Sequence, residues 1–213
     1  MKKVLILSSL LLGLFAIQVT GQITGSAHDF TQAPSNVWNT TGKICIVCHT
    51  PHNGVTGLNA PLWNHELSGI DPYIMYTSTT FQGGPSGQPD GTSKLCLGCH
   101  DGTVALENFG GTTGGTNFVT GGALVGGVAG DDLSNDHPIS FTYDAALATA
   151  DGELENPAVA LSGMPSGGTI NDDMLFAGEL QCASCHDVHN NGNTSLLLVD
   201  NAGSALCLTC HIK

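Results

Sequence analysis

The chain contains no arginine, and only five lysines stand against eighteen acidic residues in its 213 positions. Two of those lysines, Lys2 and Lys3, lie at the extreme N-terminus, ahead of the one long apolar run, Val4 to Ile17. A basic start, an apolar stretch and the small and polar residues around Val19-Thr20-Gly21-Gln22 have the form of a secretory signal. Cleavage is expected before Gln22, leaving residues 22–213 as an exported mature chain. At fourteen residues the run falls short of the roughly 20 that a spanning helix needs, and no later segment is long and apolar enough to cross a membrane. Without the signal, three lysines oppose eighteen acids, and three minus eighteen gives a net charge near −15. Such a surface is a poor match for nucleic acid or anionic lipid and suits basic proteins, metal cations or positively charged minerals. Aromatics are scarce at 6% and glycine abundant at 29 residues, so a conventional core is hard to build from side chains alone.

The cysteines are ordered where the rest of the composition is loose. All eight fall into four pairs of one spacing, each followed at once by a histidine: Cys45-x-x-Cys48-His49, Cys96-x-x-Cys99-His100, Cys182-x-x-Cys185-His186 and Cys207-x-x-Cys210-His211. Disulfides do not call for the histidine. Zinc can take Cys-x-x-Cys pairs, and a thioredoxin-like pair occurs singly beside a βαβ pattern. Four repeats of the whole pentapeptide are instead the attachment signature of c-type haem. Two thiols add across the two vinyl groups of one porphyrin, so they must sit a fixed distance apart on one turn of backbone, and the histidine that follows is placed beneath the iron. Four covalently attached haems c are therefore expected.

Five histidines remain, His28, His52, His65, His137 and His189, for four distal positions. That supply favours bis-histidine ligation with one ring to spare, and His65 and His52 are the foremost spares. His52 and His189 stand three residues after His49 and His186. On a helix that is about 4.5 Å of rise on one face, so each would reach a neighbouring haem and not its own. Pro51 interrupts the first copy. His137 precedes Pro138 and is held extended. His28, near the mature N-terminus, can fold back or reach into another molecule.

The motifs lie 51, 86 and 25 residues apart. Between the pairs, Phe109 to Gly130 holds nine glycines in twenty-two residues, which precludes a stable helix. The expected architecture is a mostly irregular chain of coil and turns, with short α-helices after each motif and around Asp144 to Ala150 and little β structure, wrapped on a core of four haems. One haem pair would occupy about 22–108, the glycine-rich connection 109–130 and the second pair about 131–213.

Gly25-Ser26-Ala27-His28-Asp29-Phe30, Cys48-His49-Thr50-Pro51-His52, Pro61-Leu62-Trp63-Asn64-His65, the Leu97 to Ala105 segment and Asn135 to Phe141 resemble the exported multihaem cytochromes of metal-respiring bacteria. The tetrahaem layout is most similar to the OmcE-type outer-surface cytochromes. That resemblance implies a head-to-tail homopolymer on the outer surface or in the extracellular space, with haems in a continuous row and one histidine donated in trans. His28 is the candidate donor. Redox proteins or extracellular metal acceptors would be its partners. The function expected is electron transfer with no catalysis. A monomeric periplasmic shuttle is the alternative, and a small-molecule reductase, which needs an open iron, fits the histidine surplus less well.

Overall fold

The computed structural model describes residues 22–56, 60, 62–84 and 86–213; the signal segment lies outside the described residues. Regular structure is sparse. Four short α-helices, α1 (Gly91–His100), α2 (Ala145–Asp151), α3 (Ile170–Asp173) and α4 (Ala205–Cys210), accompany one two-stranded sheet of β1 (Phe141–Thr142) and β2 (Glu179–Leu180). The strands are antiparallel, with Phe141 opposite Leu180 and Thr142 opposite Glu179. The remainder is turns, coil and single 3-10 turns, as the high glycine content dictates.

Each short helix has a local cause. The Asp144 carboxylate accepts the Leu147 N–H at 2.8 Å and starts α2, and Gly152, at φ 77°, ends it in the left-handed region. Thr169 and Asp172 close a capping box on α3. The glycine-rich segment holds a 3-10 turn at Gly121–Ala123 and a single bridge from Phe109 to His65.

Helices were expected to follow the haem motifs; the helical turns instead carry the motifs and stop at the histidines. The 3-10 turns Cys45–Val47 and Cys182–Ser184 and helices α1 and α4 hold the thiols. Beyond them the chain cannot continue as helix. Pro51 lies two residues past His49, Gly102 follows Asp101 at φ 74°, and the Asp187 carboxylate turns back to accept the His189 N–H at 2.9 Å. His49, His186 and His211 then pair extended with Trp63, Leu197 and Leu154 in isolated bridges. The placement of His52 and His189 on a helix face is corrected accordingly.

Among the described residues two small apolar clusters form. One gathers Phe141, Tyr143, Leu147, Ile170, Met174, Leu180 and Leu206, and the other Tyr73, Leu97 and Leu133. Between them runs a polar joint. Helix α1 has no cap from Asp90; its Ser93 N–H is instead accepted at 3.3 Å by the side chain of Gln181, 88 residues away. The Gln181 amide donates to Asp90 at 2.8 Å and Glu179 at 3.1 Å, and the Ser93 hydroxyl accepts the Cys182 N–H at 2.9 Å. This network fixes the second motif against the third. Gly98 permits another close approach: a Cβ there would stand 3.0 Å from the Glu66 carbonyl oxygen.

Candidate functional site

No disulfide joins any of the eight cysteines. The second cysteine of every motif is partly buried, and burial pushes its thiol up: Cys48 to about 11, Cys99 to about 12, Cys210 to about 11, and Cys185 in the same direction. Sulfurs of motifs adjacent in sequence are also neighbours in space. Cys48 acts electrostatically on Cys99 and Cys185 on Cys210, while Cys96 and Cys182 act on each other, which pushes Cys96 up and brings Cys182 down.

The histidines meet in twos. The His28 and His100 ring centroids are 5.9 Å apart with planes at 86°. His49 and His189 are 6.2 Å apart at 17°, and His137 and His211 are 6.4 Å apart at 74°. Each pair joins a motif histidine to one of the five others. Metal–nitrogen bonds of about 2.0 Å on both sides of one ion, plus about 1 Å from nitrogen to ring centre, put trans imidazole centroids about 6 Å apart. The three separations match that spacing.

The backbone sets ring orientation. Nδ1 of His100 lies 2.7 Å from the Ala123 carbonyl oxygen, that of His186 2.9 Å from Ser195 and that of His137 2.9 Å from Pro138. An N–H donated from Nδ1 leaves the lone pair on Nε2, the tautomer a metal takes. Trp63 packs edge-on to His49 at 6.0 Å. His28 is lowered to about 4, first by burial and then by His100, His186 and His189 nearby, and its Nδ1 is buried with no hydrogen-bond partner. A neutral imidazole in such surroundings is a ready ligand.

Three histidines stand outside these pairs. His65, counted among the nine candidate ligands, is fully buried with Nδ1 2.8 Å from the Glu66 carbonyl oxygen and Nε2 3.1 Å from that of Ala105. Both nitrogens lie against backbone carbonyls, and Nε2 also stands 3.4 Å from the Cys99 sulfur, so the ring sits beside the second thiol pair. His186 and His52 are exposed, and neither has a ring partner among the described residues.

The sequence held no sign of Gln181, the residue that ties motif two to motif three, because a lone glutamine ahead of a cysteine follows no pattern. The buried carboxylates Asp29 and Asp101, each directly after a paired histidine, carry no mark in the sequence that tells them from exposed acids.

The residues present fit haem. Among the described residues no three His, Cys, Asp or Glu side chains converge as a bare ion would require. Two axial imidazoles with a thiol pair alongside are what remains for a protein when a macrocycle supplies the equatorial ligands. Beside Cys207 and His211 an open hollow of about 420 Å³, lined also by Gly203, Ser204, Leu208 and Lys213, gives apolar wall and space at the fourth motif. Among known proteins, a family model described as the doubled CXXCH motif matches residues 175–213, which hold the third and fourth motifs. No curated protein matches the chain. The doubled motif supports a multihaem c-type cytochrome family, and with it covalently bound haem c and electron transfer.

Proposed function

We propose that the chain binds four haems c, one on each thiol pair, and conducts electrons along them as a subunit of an exported, extracellular head-to-tail homopolymer. The observation that carries the reading is the set of three imidazole pairs at 5.9, 6.2 and 6.4 Å, each including a motif histidine. Haem iron supplies a one-electron couple that needs no change of ligands. The protein's part would be to present Nε2 of two rings to each metal, leaving no open position for a small-molecule substrate once His186 also has a second ring.

The fourth pair supports the polymer. His186, oriented by Ser195, and the exposed His52 make no ring contact among the described residues, and His28, close enough to His186 to be affected by it, is turned to His100. A ring from a second copy completes His186, and a contact of one patch with a different patch repeats without closing. His28, the donor expected from its terminal position, faces His100 of its own chain, so His52 takes the crossing role. Three lysines against eighteen acids in the mature chain suit extracellular cationic acceptors.

Negative-stain microscopy of the purified protein and of His52→Ala tests this. Filaments in the parent, with His52→Ala giving dispersed particles in which one haem turns high-spin, are expected. Dispersed particles from the parent overturn the polymer in favour of a shuttle. Carbon monoxide binding by the assembled parent overturns full bis-histidine ligation.

A further inference from the structure

Of the eighteen acidic residues, the two that are buried both lie at one centre. Asp29, 4% exposed, follows His28, and Asp101, 2% exposed, follows His100; these are the two histidines whose rings face each other at 5.9 Å. Amide and hydroxyl donors hold each carboxylate. Asp101 accepts the Tyr73 hydroxyl at 2.8 Å, the Thr103 N–H at 2.8 Å and the Thr103 hydroxyl at 2.7 Å. Asp29 accepts the Gly25 N–H at 2.8 Å, the Thr31 N–H at 3.2 Å and the Thr31 hydroxyl at 2.5 Å.

The other centres differ. Thr50 follows His49, Asn190 follows His189, Pro138 follows His137 and Ile212 follows His211. Asp187 follows His186, but it is 34% exposed and lies 3.5 Å from the His189 ring. A carboxylate open to water is screened by it and by salt, whereas one covered by its neighbours, as Asp101 and Asp29 are, is screened less. A fixed negative charge beside a haem favours ferric over ferrous iron and lowers the reduction potential.

Resting on the tetrahaem reading above, we propose that Asp29 and Asp101 are tuning residues that make the His28/His100 centre the lowest in potential of the four and the last to be reduced. Its motif, the second, is joined to motif three through Gln181 and Ser93. An electron passing along the chain meets its highest step there, and these two carboxylates set the height.

The experiment is a spectroelectrochemical titration of the exported, haem-loaded protein with Asp101→Asn and Asp29→Asn, using the exposed Asp200→Asn as control. His28→Met identifies the wave of this centre by raising it. Each buried substitution should raise that same lowest wave by at least a tenfold change in its reduction equilibrium, about 59 mV for one electron, with the other three and the control moving less. Tyr73→Phe should move it the opposite way, since the carboxylate loses a neutralising donor; a role confined to packing would not give opposite signs. A four-haem protein whose lowest wave stays put, or whose four waves move together, overturns this inference alone. A product without haem overturns the functional reading itself.

Discussion

Gln181→Ala removes the side chain that joins the second motif to the third. Gln181 is 1% exposed and Ser93 is fully buried, so the Ser93 N–H in the first turn of α1 loses its acceptor where water does not replace it. An orphaned buried donor costs about 1–3 kcal/mol. The bonds to Asp90 and Glu179 are lost as well, but Asp90 is exposed and rehydrates, which adds only about 1 kcal/mol. With both contributions the loss is about 3 kcal/mol, which for a chain of this size lowers Tm by about 6–12 °C. Thermal unfolding of the haem-loaded protein, followed by far-UV circular dichroism, measures it. Ser93→Ala, which strips the acceptor from the Cys182 N–H, should not add fully to Gln181→Ala, because both break one network. A Tm within about 2 °C of the parent, or full additivity, would refute the role given to this joint.

Electron paramagnetic resonance of the oxidised protein should resolve two classes of low-spin iron. The near-parallel rings of His49 and His189, at 17°, should give a rhombic signal, and the crossed rings at 86° and 74° signals with a single dominant low-field feature; one class alone would contradict the ring geometry. Acid should destabilise the fold through Asp173, held low by the Ser162 and Ser166 hydroxyls, and Asp172, held low by Thr169. A depressed folded pKa stabilises above the unfolded value of 3.8 and loses that stabilisation as pH falls through the folded value. Melting temperature should therefore be steady near neutrality and fall below about pH 4, less steeply in Asp173→Asn. Gly130→Ala, at φ 79° with its new Cβ against the Asp101 carbonyl oxygen, should cost about 1–3 kcal/mol in denaturant unfolding. Gly152→Ala, also left-handed but with open space around it, should cost less.

The thiol and histidine pattern was fully legible because covalent attachment writes it into five consecutive residues. Helix α2 was legible for a similar reason: Asp144 and Gly152 are local start and stop marks. The predominance of coil followed from glycine and the shortage of apolar runs. What escaped depends on contacts far apart in sequence. His65 and His137 look alike as isolated histidines, yet one is held between two carbonyls and the other faces His211. The His52 and His189 placement failed because a helical period was extended past residues that end it. Gln181 caps a helix 88 residues away, a relation with no local mark.

Intact mass spectrometry of the secreted protein tests the central claim most directly. Residues 22–213 heavier by four haems is the expected result, all four surviving denaturation because each is bonded through its thiols. A mass equal to the bare chain, or heavier by zinc alone, would contradict the account.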